Sequence, residues 1–160
     1  MGRVFTSRIM PASRDYRSLL YVTSLAIELE VPIQSYRDLH AWNLGMDFVI
    51  AVYRLTRGFP REELYGLTAQ LRRAAVAVPS NVSEGHQQST KVYLRHVAIA
   101  AGSAAEAETQ LEIARRLGYA SDTDVRQVME LTVHVRRVLF GLRRSLRKRA
   151  SREGALIPNP

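Results

Sequence analysis

Between Asp38 and Leu146 the apolar residues of this chain recur at intervals of three and four, in four successive runs. Leu39, Trp42, Met46, Val49 and Tyr53 make the first, and Leu64, Leu67, Leu71, Ala74, Val78 and Val82 the second. Tyr93, Val97, Ala100, Ala104, Ala107, Leu111 and Ala114 make the third. Val125, Val128, Thr132, Val135, Leu139, Leu142 and Leu146 make the fourth. Such spacing is the stripe of a helix that buries one side, and no strand pattern competes with it. Punctuation falls between the runs. Asp38 is the expected N-cap of the first, and Gly58 and Pro60 close it. Pro60, with Glu62 and Glu63 beside the positive helix end, opens the second. Ser89 or Thr90 caps the third, and Gly118 stops it in the left-handed position. Ser121 caps the fourth, followed by Asp122 and Asp124. Four helices with short connections bury such stripes together. The expected fold is all-α, an up-down-up-down antiparallel four-helix bundle.

The bundle is expected over residues 35–149. Residues 1–34, punctuated by Pro11 and Pro32, read as an N-terminal arm, partly disordered or an over-long start. Residues 150–160, with Gly154, Pro158 and Pro160, read as a loose C-terminal tail. Leu19 to Val31 has the apolar look of a secretory leader behind Arg3, Arg8, Arg14 and Arg17. Glu28 and Glu30 interrupt it and the small-residue cleavage pattern is poor, so the cytoplasm is the expected location. Cysteine is absent, which excludes disulfides and thiolate metal sites. No window approaches the roughly 18 uninterrupted apolar residues of a membrane span.

The second run contains an anomaly, Pro79, inside Gln70-Leu-Arg-Arg-Ala-Ala-Val-Ala-Val-Pro-Ser-Asn-Val-Ser-Glu-Gly85. An interior proline removes one backbone donor and costs about 3 kcal/mol, so the helix kinks for a purpose or ends there. Ser80 or Asn81 is placed to satisfy backbone groups that the proline frees. Arg72, Arg73 and Glu84 complete the set, with one arginine expected to pair with a carboxylate. We read Arg72, Arg73, Pro79, Ser80, Asn81 and Glu84 as a structural signature.

The formal net charge is +8, and a basic balance favours polyanionic partners. The charge concentrates where the fourth run ends. Arg136, Arg143 and Arg147 fall near one helical face, as do Arg137, Arg144 and Lys148, with Arg149 and Arg152 following. Such stripes suit phosphates, which ask for charge and reach but no base-edge geometry. The plain alternative is a solvated face with cations well placed at a helix C-terminus. Glu106, Glu108 and Glu112 make the third run acidic, which suits pairing between helices or subunits.

Several blocks carry a resemblance. They are Tyr36-Arg-Asp-Leu39 with Trp42, Phe59-Pro60 with Glu63-Leu-Tyr-Gly-Leu67, Gln70–Gly85, Glu106 with Glu108-Thr-Gln-Leu111, and Leu117-Gly-Tyr119. From about Tyr36 to Arg147 the chain resembles the four-helix bundle family of 23S rRNA intervening-sequence proteins. It is also similar in fold to a related branch, the accessory variability determinant proteins of diversity-generating retroelements. Those form homopentameric rings and bind nucleic acid together with a reverse transcriptase. The resemblance implies a homo-oligomer, pentameric by analogy, RNA or DNA as partner and a protein partner such as a reverse transcriptase. It implies no catalysis and no cofactor.

Other constellations lead nowhere. His40, His86, His96 and His134 lack ligand spacing, so no metal site is expected. Ser80, Ser83, Glu84 and His86 have no strand-turn-helix elbow to make a nucleophile of either serine, so no catalytic residue is assigned. Asn81-Val-Ser83 fits a glycosylation sequon but lies inside a helical run. The function expected is binding: nucleic acid through the last helix, or alternatively an oligomeric protein-interaction scaffold.

Overall fold

The structure, a computed structural model, describes residues 33–155. The arm read from residues 1–34 therefore lies, but for its last two residues, outside the described residues, as do residues 156–160 of the tail. Among the described residues there are four α-helices and no strand: α1 His40–Leu55, α2 Leu67–His86, α3 Thr90–Arg116 and α4 Asp122–Ala155. Packing pairs α1 with α2, α2 with α3, α3 with α4, and α4 back onto α1. This closed order, with short connections, is the up-down-up-down bundle, and it puts α2 and α4 on opposite corners. No described helix is long and apolar enough to cross a membrane.

The stripe of α3 buries as spaced: every one of its seven positions is buried, four of them alanines. Small residues there let the neighbouring helices approach closely. On α4 the stripe is buried apart from half-buried Leu142. Gly118 takes the left-handed backbone that ends α3, with φ 69°. Helix α4 runs on to Ala155, inside the segment read from sequence as a tail.

The first helix differs from expectation. Its buried residues are Ala41, Gly45, Phe48 and Val52, not Trp42, Met46 and Val49, which are half-buried, while Tyr53 is exposed. The same three-four spacing fits both registers, and the buried one carries the close contact of Gly45 with Pro79. Pro79 of α2 sits against Gly45, where an added Cβ would lie 3.3 Å from the proline Cβ. The Gly45 position of α1 therefore faces α2, and the Trp42 ring packs edge-on to Tyr36 at 5.4 Å.

Asp38 does not cap α1 either. It closes a short 3₁₀ turn, Tyr36–Asp38, by accepting the Ser35 backbone N–H at 2.9 Å while Ser35 Oγ accepts from Arg37. Pro60 likewise precedes a 3₁₀ turn, Arg61–Glu63, and α2 begins only at Leu67. Leu64 is left half exposed. The carboxylate of Glu63 supplies the cap, accepting the Leu67 N–H at 2.7 Å. Its other oxygen accepts from the Tyr119 hydroxyl at 3.0 Å, which raises the Tyr119 phenol above its ordinary pKa. Phe59 packs on the same tyrosine, 5.8 Å between ring centroids. One carboxylate thus ties the α1–α2 connection to the α3–α4 connection.

Gly102 stands in mid-α3, exposed, with nothing within 4 Å of an added Cβ. Gly102→Ala is expected to raise stability by about 0.5–1 kcal/mol, read as a higher urea midpoint with an unchanged slope.

Candidate nucleic-acid interface

The basic end of α4 separates into two groups once neighbours are considered. Arg136 is tethered: its guanidinium donates to Glu108 of α3 across the helix pair. Arg149 donates to Glu153 at 2.8 Å, and Glu153 also accepts from Thr90 at the start of α3. Those hydrogen bonds hold the Glu153 carboxyl below the usual carboxylate range. Arg137, Arg143, Arg144, Arg147 and Lys148 have no ion pair among the described residues. All but half-buried Arg143 are exposed.

The nearby acids of α3 are engaged elsewhere. Glu112 accepts two hydrogen bonds from Arg115 and one from Arg116, which hold its carboxyl down to about 2. Glu106 accepts from Gln110. The acidic character of α3 is thus spent within the bundle, on its own helix or on Arg136. A row of cations remains on α4 that no described carboxylate pairs with.

Two features of this region escaped the sequence reading. Phe140 projects from the basic face, 70% exposed. It borders a groove of about 440 Å³ between α3 and α4, lined by Val97, Ala101, Val133, Arg137 and Arg143 among others. The spacing of Val135, Leu139 and Leu142 leaves Phe140 off the buried stripe, but nothing in the sequence marks how far its ring stands out. Lys91 and Arg95, both exposed, add charge to the first turns of α3, at the end where Thr90 meets Glu153.

The residues of the α2 signature make the following contacts. The helix continues unbroken through Pro79, which is buried. Arg72 meets no carboxylate: its Nε donates to Thr56 Oγ1 at 2.8 Å and its guanidinium lies over the Tyr53 ring, 4.7 Å from the centroid. Arg73 is exposed. Neither polar residue covers the carbonyl of Ala75, the one freed by the proline. Asn81 donates to Ala77 O at 2.8 Å, and Ser80 offers its carbonyl to Ser83 Oγ. With the Asn81 amide so oriented, its Oδ1 accepts from His96 Nδ1 at 3.1 Å, and Glu84 lies 3.7 Å from the same nitrogen. These contacts lock α2 to α3. The signature and the α4 cations sit on opposite corners and do not form one site.

Tyr93 closes this seam, 6% exposed, with its ring edge-on to His86 at 6.1 Å. Its hydroxyl has no hydrogen-bond partner among the described residues, and burial pushes the phenol up to about 12. A phenol raised in the folded state contributes stability that is complete below pH 10 and is lost as pH rises toward 12. Tyr93→Phe is expected to raise stability at pH 7 by about 1 kcal/mol, since an unpartnered hydroxyl leaves the core. It is also expected to lose this component, of order 2–3 kcal/mol, of the alkaline decline. Urea titrations at pH 7 and at several alkaline values check both.

Among the described residues no three or more metal-ligating side chains gather.

A family model described as 23S rRNA-intervening sequence protein matches residues 37–141. The match takes in the α2 signature, Arg136, Arg137 and Phe140, and ends before Arg143. Among solved structures, the fold is similar to that of a protein of unknown function from the S23 ribosomal protein family of Bacteroides thetaiotaomicron. The TM-score is 0.61 at 19% identity, over 65% of this chain and 95% of that one. No curated protein matches. With a match that spans more than half of its length, the chain belongs to the family of 23S rRNA-intervening sequence proteins.

Proposed function

We propose that the protein acts by binding, as a non-enzymatic nucleic-acid-binding bundle, RNA before DNA, that works as a homo-oligomer in the cytoplasm. The observation that carries this reading is the row Arg137, Arg143, Arg144, Arg147 and Lys148 on α4, which no described carboxylate pairs with, beside acids already engaged within the bundle. Cations left free on a rigid helix meet phosphates without first breaking internal pairs. The rRNA-related family adds weight to RNA over DNA. Arg136, tethered to Glu108, serves as a brace for the face more than as a phosphate contact.

Oligomerisation is supported by exposed apolar side chains such as Ile50 on α1 and Val76 on α2. A closed ring, pentameric by family resemblance, requires two different complementary patches per subunit, and repetition multiplies a weak single-copy contact. Nuclease-treated protein titrated into labelled structured RNA and duplex DNA at low salt tests the binding reading. Measurable binding, tighter for RNA, is expected, and no binding to either sinks it. Light scattering tests assembly: a mass several times 18.1 kDa is expected, and a monomer ends the ring.

A further inference from the structure

An exposed aromatic ring among unpaired arginines asks for an explanation that charge alone does not supply. Arg137, Phe140, Arg144 and Arg147 follow one another at intervals of three, four and three, so they share one face of α4. Phosphate contacts need no aromatic group, and the ring is 70% exposed to water. The adjoining groove is lined by the apolar Val97, Ala101, Val133 and Leu139 and by the guanidinium groups of Arg136, Arg137 and Arg143. At about 440 Å³ it is of the size that holds small planar ligands.

We propose that this groove receives an unpaired base of a single nucleic-acid strand, stacked on Phe140, with Arg137 and Arg143 on the adjacent phosphates. The proposal rests on the reading of α4 as a nucleic-acid face and narrows its ligand to unpaired rather than duplex segments. Bases in a duplex are stacked on each other and present no face to a ring lying on a helix surface. An unstacked base does, and every base has a π-face to offer. Charge favours a phosphate-bearing strand over the same face of a second copy as the occupant. Glu108 is held by Arg136, which lines the groove, and Glu112 is held by Arg115 and Arg116. A second such face would therefore bring arginines against arginines.

The test uses the full-length protein with fluorescently labelled short single-stranded RNA and DNA, and a duplex of the same length, followed by anisotropy. Either single strand is expected to bind about tenfold or more tightly than the duplex. Phe140→Leu, which keeps the groove apolar, is expected to lower single-strand affinity about tenfold while leaving the salt dependence unchanged, because no charge is removed. Phe140→Trp is expected to retain affinity. Duplex binding equal to single-strand binding, or Phe140→Leu binding as the parent does, overturns the proposal while leaving the α4 face as a phosphate reader. Absence of binding to every probe overturns the α4 reading and this proposal together. A drop in light-scattering mass on Phe140→Leu also overturns it, since the groove would then hold a second copy.

Discussion

Replacing Arg143, Arg144, Arg147 and Lys148 with glutamine is expected to weaken RNA binding on the order of a thousandfold at about 0.1 M salt. It should also flatten the salt dependence by about three units of slope. Each cation that sits on a phosphate releases a condensed counterion, so its removal lowers both the affinity and the exponent with which salt enters. The loss should be broad across RNA sequences, because phosphate contacts position a strand without reading it. Glutamine keeps length and polarity at positions that are exposed or half-buried, so the fold is expected to persist with its melting temperature little changed. An unchanged slope in this variant would mean that the end of α4 is a solvated helix terminus.

The second large effect lies at the other corner of the bundle. Gly85 is buried in the last turn of α2, where an added Cβ would collide with the Tyr93 ring and come within 2.8 Å of His96 Cβ. Neither neighbour retreats easily: Tyr93 is in the core, and His96 is held by Asn81. Gly85→Val is expected to destabilise the protein by about 3 kcal/mol, read as a fall in the urea midpoint. Gly102→Ala provides the contrast within the same bundle. A Gly85→Val protein as stable as the parent would show that the α2–α3 seam is looser than these contacts imply.

These two corners also show what a sequence discloses and what it withholds. On α3 and α4 the expected stripes are the buried ones, although both helices also expose apolar side chains such as Ile99, Ile113 and Phe140. On α1 apolar residues occupy more than one side, and the buried register is the one in which Gly45 receives Pro79. Only a tertiary contact carries that information. The α1–α2 connection was misread for a related reason. Pro60 is a sound helix opener by local rules, yet the capping group is Glu63, which is also held by Tyr119 from a distant connection.

For the candidate site, the charge of α4 was visible in the chain but its partition was not. Arg136 and Arg137 are adjacent and chemically identical, and only the packing of α3 on α4 gives one of them Glu108. Phe140 falls outside the stripe that the spacing assigns, yet the sequence does not show that its ring stands 70% exposed among the cations. The signature around Pro79 was read as structural, and its contacts run to Ala77, Ser80, Thr56 and His96. The carboxylate partner expected for Arg72 is replaced by Thr56 and the Tyr53 ring.

The most direct measurement is the salt dependence of RNA affinity for the unaltered, nuclease-treated protein, followed by fluorescence anisotropy from low to moderate salt. If α4 presents its free cations to phosphates, the logarithm of the association constant falls linearly with the logarithm of salt concentration. A slope of about −3 or steeper is expected. A slope near zero, or no binding at the lowest salt, would contradict the account and leave a protein-interaction scaffold as the better reading.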